Sequence, residues 1–211
     1  NPYAHLRKGF SVEEVLASPM IFWPLRMYEI CPVSSGAVAM VLASEERAKE
    51  LSDTPVWVEA IDSISNTFYT GFRTYKDLDL LEILAHRVYA DAGIKDPLKE
   101  IDVAETFNPY ISLELQHYEA LGFCEKGRGI ELVREGVTSL GGALPVNPSG
   151  GVLCTNSGIS ASVTRHAEVV LQLMGKAGEI QVKSAEVGLA HSWGGSDGQF
   201  HTIAILSNRS E

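Results

Sequence analysis

The chain has 211 residues, 45% of them hydrophobic and 21% charged, and a net charge of -10. That apolar content can build one good-sized core or two smaller ones. An excess of 27 acidic over 17 basic residues argues against non-specific nucleic-acid binding, which needs a basic footprint, and no apolar run reaches the ~20 residues of a membrane helix.

Four prolines, Pro2, Pro19, Pro24 and Pro32, punctuate the first fifty residues. Ser11 with Glu14 reads as a capping box that opens a helix. Residues 36–43 (Gly-Ala-Val-Ala-Met-Val-Leu-Ala) suit a strand buried on both faces. A short charged helix follows from Ser44 and ends near Ser52, and Asp53-Thr-Pro marks a domain boundary. Residues 56–61 read as a strand and 62–76 as a long loop. Asp77 is placed to cap a helix carrying Leu78, Leu81, Ala85, Val88 and Ala92 on one face, with Gly93 at its end. Residues 101–105 form a short strand. Asn108-Pro109 reads as an N-cap with a first-turn proline, opening a helix that stops at Gly122. Residues 122–142 are a glycine- and charge-rich excursion, and 146–153 cross back as a strand. A helix from Ser157 should bury Val163, Ala167, Val170, Leu171 and Met174. Two strands, 187–190 and 200–206, close the chain. The order from residue 53, β-α-β-α-β-α-β-β, predicts an α/β fold with a mostly parallel mixed sheet between helices.

Cys31, Cys124 and Cys154 are far apart and odd in number, and no CxxC pair occurs. A structural zinc site is not expected, and a reduced, cytoplasmic chain is the simplest reading. No signal peptide is visible, and residue 1 is Asn, which reads as a chain cut from something longer. No metal site and no tightly bound cofactor are expected.

Two polar, glycine-rich segments carry the chemistry. One runs Gly141 to Ser162, through Asn147-Pro-Ser-Gly-Gly. The other runs His191-Ser-Trp-Gly-Gly-Ser-Asp-Gly-Gln-Phe-His. Loops of this kind beside a buried strand or a helix start expose backbone N–H groups that can hold an oxygen-rich ligand or a developing oxyanion.

Four blocks resemble the thiolase superfamily, in particular the archaeal and bacterial thiolase-like proteins related to sterol-carrier-protein thiolases. They are Cys31-Pro-Val-Ser-Ser-Gly-Ala-Val-Ala-Met-Val-Leu, Tyr118-Glu-Ala-Leu-Gly-Phe-Cys-Glu-Lys-Gly, Asn147-Pro-Ser-Gly-Gly and His191-Ser-Trp-Gly-Gly. The resemblance covers nearly the whole chain. It implies a thiolase fold, with residues 1–52 as the tail of the first domain and 53–211 as the βαβαβαββ second domain. The nucleophilic cysteine would then stand on the first half, which this sequence does not contain.

The resemblance also implies roles. His191 stands where the family places its terminal Cys or His and is expected to move a proton; the other reading is a hydrogen-bonded histidine at a strand end. Asn156 stands at the histidine of the family's Gly-His-Pro motif, where an amide can donate to an oxyanion but cannot act as a base; it also suits a helix N-cap. Phe107 stands at the Asn or His that fixes a water in an oxyanion hole, a task its ring cannot perform. Asn108, one position on, could take over or simply cap. Gly150, Gly151, Gly194 and Gly195 are expected to bring backbone close to substrate, against the plainer reading of turn geometry. Trp193 would line an acyl pocket or anchor its loop. Ser149 and Ser192 are weaker contacts. His201 reads as a core histidine, His86, His117 and His166 as structural or solvated, and Cys154 as a small buried filler.

Three functions follow from the resemblance. The first is Claisen-type acyl transfer to coenzyme A, making or cleaving a carbon–carbon bond in a 3-oxoacyl-CoA, with CoA as a substrate. The second is retro-aldol cleavage of a hydroxyacyl-CoA, because some relatives with an aromatic residue at the Phe107 position, typically Tyr, shorten steroid side chains without a cysteine; Phe107 lacks the hydroxyl such a mechanism would use. The third is a non-catalytic subunit that binds CoA esters. Expected partners are the acyl-CoA, an N-terminal thiolase half, a second copy in a homodimer or another chain in a hetero-oligomer, and a small zinc-ribbon/OB-fold subunit. Residues 62–76 and the absent half would shape the acyl pocket.

Overall fold

Period-two alternation along the last two strands sets the architecture. The computed structural model describes residues 1–73 and 78–209. Four strands, β3 (Trp57–Ser65), β4 (Val103–Glu105), β5 (Val187–Gly194) and β6 (Phe200–Ser207), form one sheet in the order β3-β6-β5-β4. Before them, β1 (Met20–Phe22) and β2 (Leu25–Arg26) make a separate antiparallel ribbon. Helices pack on the main sheet, so the fold is mixed α/β as expected. The parallel share is smaller than expected. Among the described strands, β4 pairs with β5 in parallel, while β3–β6 and β5–β6 are antiparallel. The short link between β5 and β6 permits only a hairpin, and β3 then closes on the outer side of β6.

The N-terminal helices match their signals. The Ser11–Glu14 capping box opens α1 (Val12–Ala17), and α2 (Glu45–Leu51) runs between Ser44 and Ser52. The strand expected over 36–43 is absent. That segment has no regular structure, and Val41 and Leu42 are 89% and 84% exposed. A strand buried on both faces needs neighbours on both sides, and none of the described strands lies beside it. β3 reaches Ser65, because Asp62 to Ser65 continue the ladder with β6. Of the expected long loop over 62–76, the first residues are therefore strand and Thr70–Phe72 form a 3-10 turn, while 74–76 lie outside the described residues.

Helix α3 (Asp79–Ala92) ends on a left-handed Gly93 as expected; its expected cap, Asp77, lies outside the described residues. After the one-turn α4 (Pro97–Glu100), helix α5 (Ile111–Ala120) is capped by Tyr110, not by Asn108, whose side chain is engaged elsewhere. The excursion over 122–142 contains α6 (Gly129–Arg134). The strand expected over 146–153 reduces to one parallel bridge, Val146 to Ala104. Asn147, Gly150 and Gly151 then take φ values of 51, 95 and 62° and turn the chain into α7 (Gly151–Cys154).

Odd-numbered residues Val187, Leu189, Ile203 and Ile205 face α3 and α5, packing with Leu81, Leu84, Val88 and Tyr118. Even-numbered Ala190, Ala204 and Leu206 face α8 (Ile159–Leu173), packing with Val169 and Leu173. Each large aliphatic side chain buried this way contributes about 1.5–3 kcal/mol. The buried face of α8 is Ala161, Arg165, Val169, Gln172 and Leu173, not the expected apolar set. Two polar residues turn inward because they find buried partners: Arg165 meets Glu105, and Gln172 meets the backbone of Ile180 and Val182. Val163 and Leu171 are consequently left 40% and 39% exposed. Among the described residues, no helix is long and apolar enough to cross a membrane.

Gly188 sets how closely α8 approaches the sheet. A Cβ there would stand 2.4 Å from Val169 Cγ1 and 3.3 Å from Val103 Cγ1. Gly188→Ala should destabilise the chain by about 1–3 kcal/mol through overpacking, measured by urea unfolding. An unchanged midpoint would mean that α8 is free to shift outward.

Candidate functional site

The odd face of the hairpin continues past its aliphatic residues into three rings. His191 and Trp193 on β5 and His201 on β6 share that face, and Trp193 pairs directly with His201 across the ladder. His117, from the inner face of α5, meets His191 edge-on with centroids 4.7 Å apart. His191 and His201 stack at 5.4 Å, and Trp193 and His201 at 6.5 Å. His117, Trp193 and His201 line the floor of a cleft of about 1180 Å³. Its walls come from Phe107, Tyr110 and Leu113 before and within α5, from Asn156, Ile159 and Val163 around the start of α8, and from Gly194 and Gly195. Thr70 and Gly71 close one side.

The imidazoles are wired in order. The Phe107 N–H donates to His191 Nδ1 at 3.4 Å, and His191 Nε2 stands 3.1 Å from His201 Nδ1. Both ring nitrogens of His117 are buried without a partner, an arrangement that costs about 1–3 kcal/mol per unpaired group. Burial penalises the charged form of all three rings. It lowers His117 to about 3 and His201 to about 4, and holds His191 well below the ordinary histidine value, with the neighbouring imidazoles adding to the effect. These are neutral rings at physiological pH.

A buried polar frame fixes the walls. Glu105, at the end of β4, is fully buried and pairs with Arg165 of α8. It also accepts hydrogen bonds from the Ser149 N–H at 3.0 Å and the Ser149 hydroxyl at 2.8 Å. Asn147 accepts from the Thr106 N–H and donates to Thr106 Oγ1. Asn108 accepts from the Val152 N–H at 2.7 Å and donates to Glu114 at 2.8 Å. Asn108 therefore ties α7 to α5 and does not line the cleft.

The other expected site residues fall into two groups. Phe107, Asn156, Trp193, Gly194 and Gly195 come together around the cleft. His191, Gly150 and Gly151 do not line it. His191 lies within β5 and is fully buried behind His201, not on the polar loop. Gly150 and Gly151 are spaced by their surroundings: a Cβ would meet Cys154 Sγ at 2.4 Å in one and Asn108 Oδ1 at 2.3 Å in the other. Asn156 does not cap α8, whose cap is Gly158. Its Oδ1 accepts from the Gly158 N–H, and its Nδ2 contacts Cys31 Sγ at 3.1 Å. Ser149 is held by Glu105 and Arg165, and Ser192 donates to the Ser162 carbonyl. Two residues read as structural, His117 and His201, line the cleft. The signal for His201 was its odd register with Ile203 and Ile205; nothing local marked His117. Among the described residues, no group of three or more His, Cys, Asp or Glu side chains is arranged to hold a metal ion.

The depressed histidines make stability pH-dependent. Above about pH 6.5 these rings are neutral in both folded and unfolded chains, and they contribute no slope. As pH falls below that value the unfolded chain takes up protons that the folded one refuses, until the folded values near 4 and 3 are reached. From about pH 7 to about pH 5 the loss should be about 2 kcal/mol per imidazole, read by urea unfolding. His117→Leu should reduce that loss and raise stability at neutral pH by removing the unpaired nitrogens. An unaltered pH profile in that variant would contradict the burial argument.

The chain is similar to known proteins over most of its length. Residues 77–208 match the family model described as thiolase C-terminal domain-like. The acetyl-CoA acetyltransferase of Methanothermobacter thermautotrophicus is 36% identical over 200 residues, spanning 94% of this chain and 52% of that protein. Sterol carrier protein 2 of Oryctolagus cuniculus is 34% identical over 204 residues, spanning 92% of this chain and 36% of that protein. The chain thus spans about half or less of the length of these relatives. A solved structure, the Ltp2-ChsH2(DUF35) aldolase, superposes with a TM-score of 0.81 at 22% identity, covering 96% of this chain and 53% of that one. The fold is the thiolase fold, and the chain belongs to the thiolase C-terminal domain-like family.

Proposed function

We propose that this chain supplies the second half of an enzyme that makes or cleaves a carbon–carbon bond in a 3-oxoacyl-CoA, with acyl transfer to CoA. The observation that carries this reading is the composition of the cleft. Apolar walls from Phe107, Leu113, Val163 and Trp193 end at the Asn156 amide and the backbone of Gly194 and Gly195. A Cβ at Gly194 would meet nothing within 4 Å, so its backbone is open to a ligand. Such a surface fits an acyl thioester: apolar contact for the chain, and N–H donors for an oxygen that gains negative charge in the transition state.

In the cleavage direction, a thiolate adds to the 3-carbonyl carbon and the C2–C3 bond breaks. The electron pair passes to the departing thioester enolate, and C2 then takes a proton; the CoA sulfur, giving up its proton, next attacks the acyl carbon left on the first thiolate, forming acyl-CoA and freeing that thiolate. Asn156 and the Gly194–Gly195 backbone are the donors proposed for the enolate oxygen. The thiolate is assigned to the first half. Among the described residues no cysteine lines the cleft, and burial pushes the Cys124 thiol up to about 11 and raises Cys154 as well. His191, expected to move a proton, is buried and meets the cleft through its contact with His201.

On this reading residues 1–52 end a first domain and 53–211 form the second. The exposed apolar segment 36–43 then joins the first domain's sheet. A homodimer or hetero-oligomer follows, and a zinc-ribbon/OB-fold subunit is a further proposed partner; the aldolase of like fold is itself named as a pair with a DUF35 component. Three free cysteines support a reducing, cytoplasmic setting.

Retro-aldol cleavage of a hydroxyacyl-CoA is the second reading. It is favoured by the absence of a lining thiol among the described residues, while Phe107 at the cleft has no hydroxyl to offer such a reaction. The two are separated by incubating the complete assembly with acetoacetyl-CoA plus CoA, and separately with a 3-hydroxyacyl-CoA without free CoA, with products read by mass spectrometry. The first reading predicts acetyl-CoA only when CoA is supplied, and an Asn156→Ala loss of about 10²-fold in kcat. CoA-independent release of a ketone or aldehyde would replace it with the second. No product in either arm would leave a non-catalytic CoA-ester-binding subunit.

A further inference from the structure

We infer that His201 is the hydrogen-bond donor that meets a substrate oxygen in the cleft, through Nε2–H, and that His191 is the positioning residue that fixes the proton on that nitrogen. The substrate oxygen is the carbonyl or alkoxide at the bond being made or broken, so the identity of the ligand rests on the reading proposed above.

The assignment follows from the order of the hydrogen bonds. The Phe107 N–H can only donate, so His191 Nδ1 must accept it. A neutral imidazole carries one proton, so that of His191 lies on Nε2. From there it points at His201 Nδ1, 3.1 Å away. His201 Nδ1 is therefore an acceptor, and its own proton lies on Nε2. That nitrogen has no protein partner among the described residues and is not sealed in, since the buried ring nitrogens without partners both belong to His117. His201 lines the cleft, so its free N–H is presented to whatever the cleft holds.

Two further observations favour a donor that stays neutral. The stacking of Trp193 on His201 and of His201 on His191 locks the ring planes. Burial keeps all three imidazoles from charging. A neutral, oriented N–H needs no reorganisation as charge develops on the oxygen it faces. It also explains why a buried strand position carries His191 where an aliphatic residue would pack as well: removing it would leave His201 free to hold its proton on Nδ1, facing the protein.

The test has two arms on the complete assembly. In ¹⁵N-histidine NMR, His201 and His191 should each show a protonated Nε2 and a bare Nδ1, and adding acetoacetyl-CoA should shift the His201 Nε2 signal. In the His191→Phe variant, His201 should show a mixture of the two tautomers. In kinetics with the substrate the assembly turns over, His201→Phe should lower kcat by about 10²–10³-fold with little change in KM. His201→Gln, whose amide can place an N–H near the lost Nε2, should recover at least tenfold of that loss. A His201 proton on Nδ1, a thioester that leaves Nε2 unmoved, or His201→Phe turning over like the wild type would each overturn the inference. Lack of turnover of any CoA thioester by the wild type would instead sink the proposed reaction. The two NMR outcomes would then still decide the assignment of His201.

Discussion

A carboxylate and a guanidinium sealed inside the protein hold the site in shape. Glu105 ends the short strand β4 at the edge of the sheet and Arg165 sits in the middle of the helix that walls the cleft, and both are almost wholly buried. Taking such ions out of water costs several kcal/mol each. That cost is offset because Glu105 also receives the Ser149 N–H and hydroxyl, while Arg165 reaches the same hydroxyl. One pair thereby ties strand, helix and Asn-Pro-Ser-Gly-Gly turn together. It also rolls α8. With Arg165 turned inward, the apolar Val163 is left to line the cleft.

A second frame acts on the opposite wall. Glu114 accepts from Asn108 and from the Tyr118 hydroxyl, and Asn108 in turn receives the Val152 N–H. Gly151 has to be glycine beside it, because a Cβ would collide with the Asn108 amide. The cleft walls are thus set by buried polar groups that are paired except at Arg165 Nε, which favours one geometry over a range of near-equivalent ones. The floor is different. Among the described residues His117 has no partner for either ring nitrogen, and unpaired buried groups of this kind concentrate where a protein gives up stability for chemistry.

Much of the fold could be read from the chain. The Ser11–Glu14 box, the helix ending at Gly93 and the closing hairpin are local signals, and each formed as its local chemistry dictates. What could not be read was set by long-range partners. Asn108 looks like a cap in isolation, but Val152, 44 residues away, takes its oxygen. Polar residues on α8 look solvent-facing until Glu105 supplies a buried partner for Arg165. Residues 36–43 have a strand's composition and no strand to pair with. In the site, the resemblance led to the glycine loop, Phe107, Asn156 and Trp193, which do gather round one cleft. His201 and His117 were passed over because a histidine's role depends on what its two nitrogens meet, and that is a property of the assembled sheet and helix.

Neutral imidazoles and the Gly194–Gly195 backbone line one cleft, and the ligand proposed for it is an acyl thioester. The most direct measurement is a crystal or cryo-EM structure of the complete assembly with an unreactive ketone analogue of acetoacetyl-CoA bound. The account predicts the ligand's acyl oxygens in the cleft, one within hydrogen-bond distance of Asn156 Nδ2 or the Gly194–Gly195 backbone and one facing His201 Nε2. An analogue bound elsewhere, with this cleft empty, would contradict it.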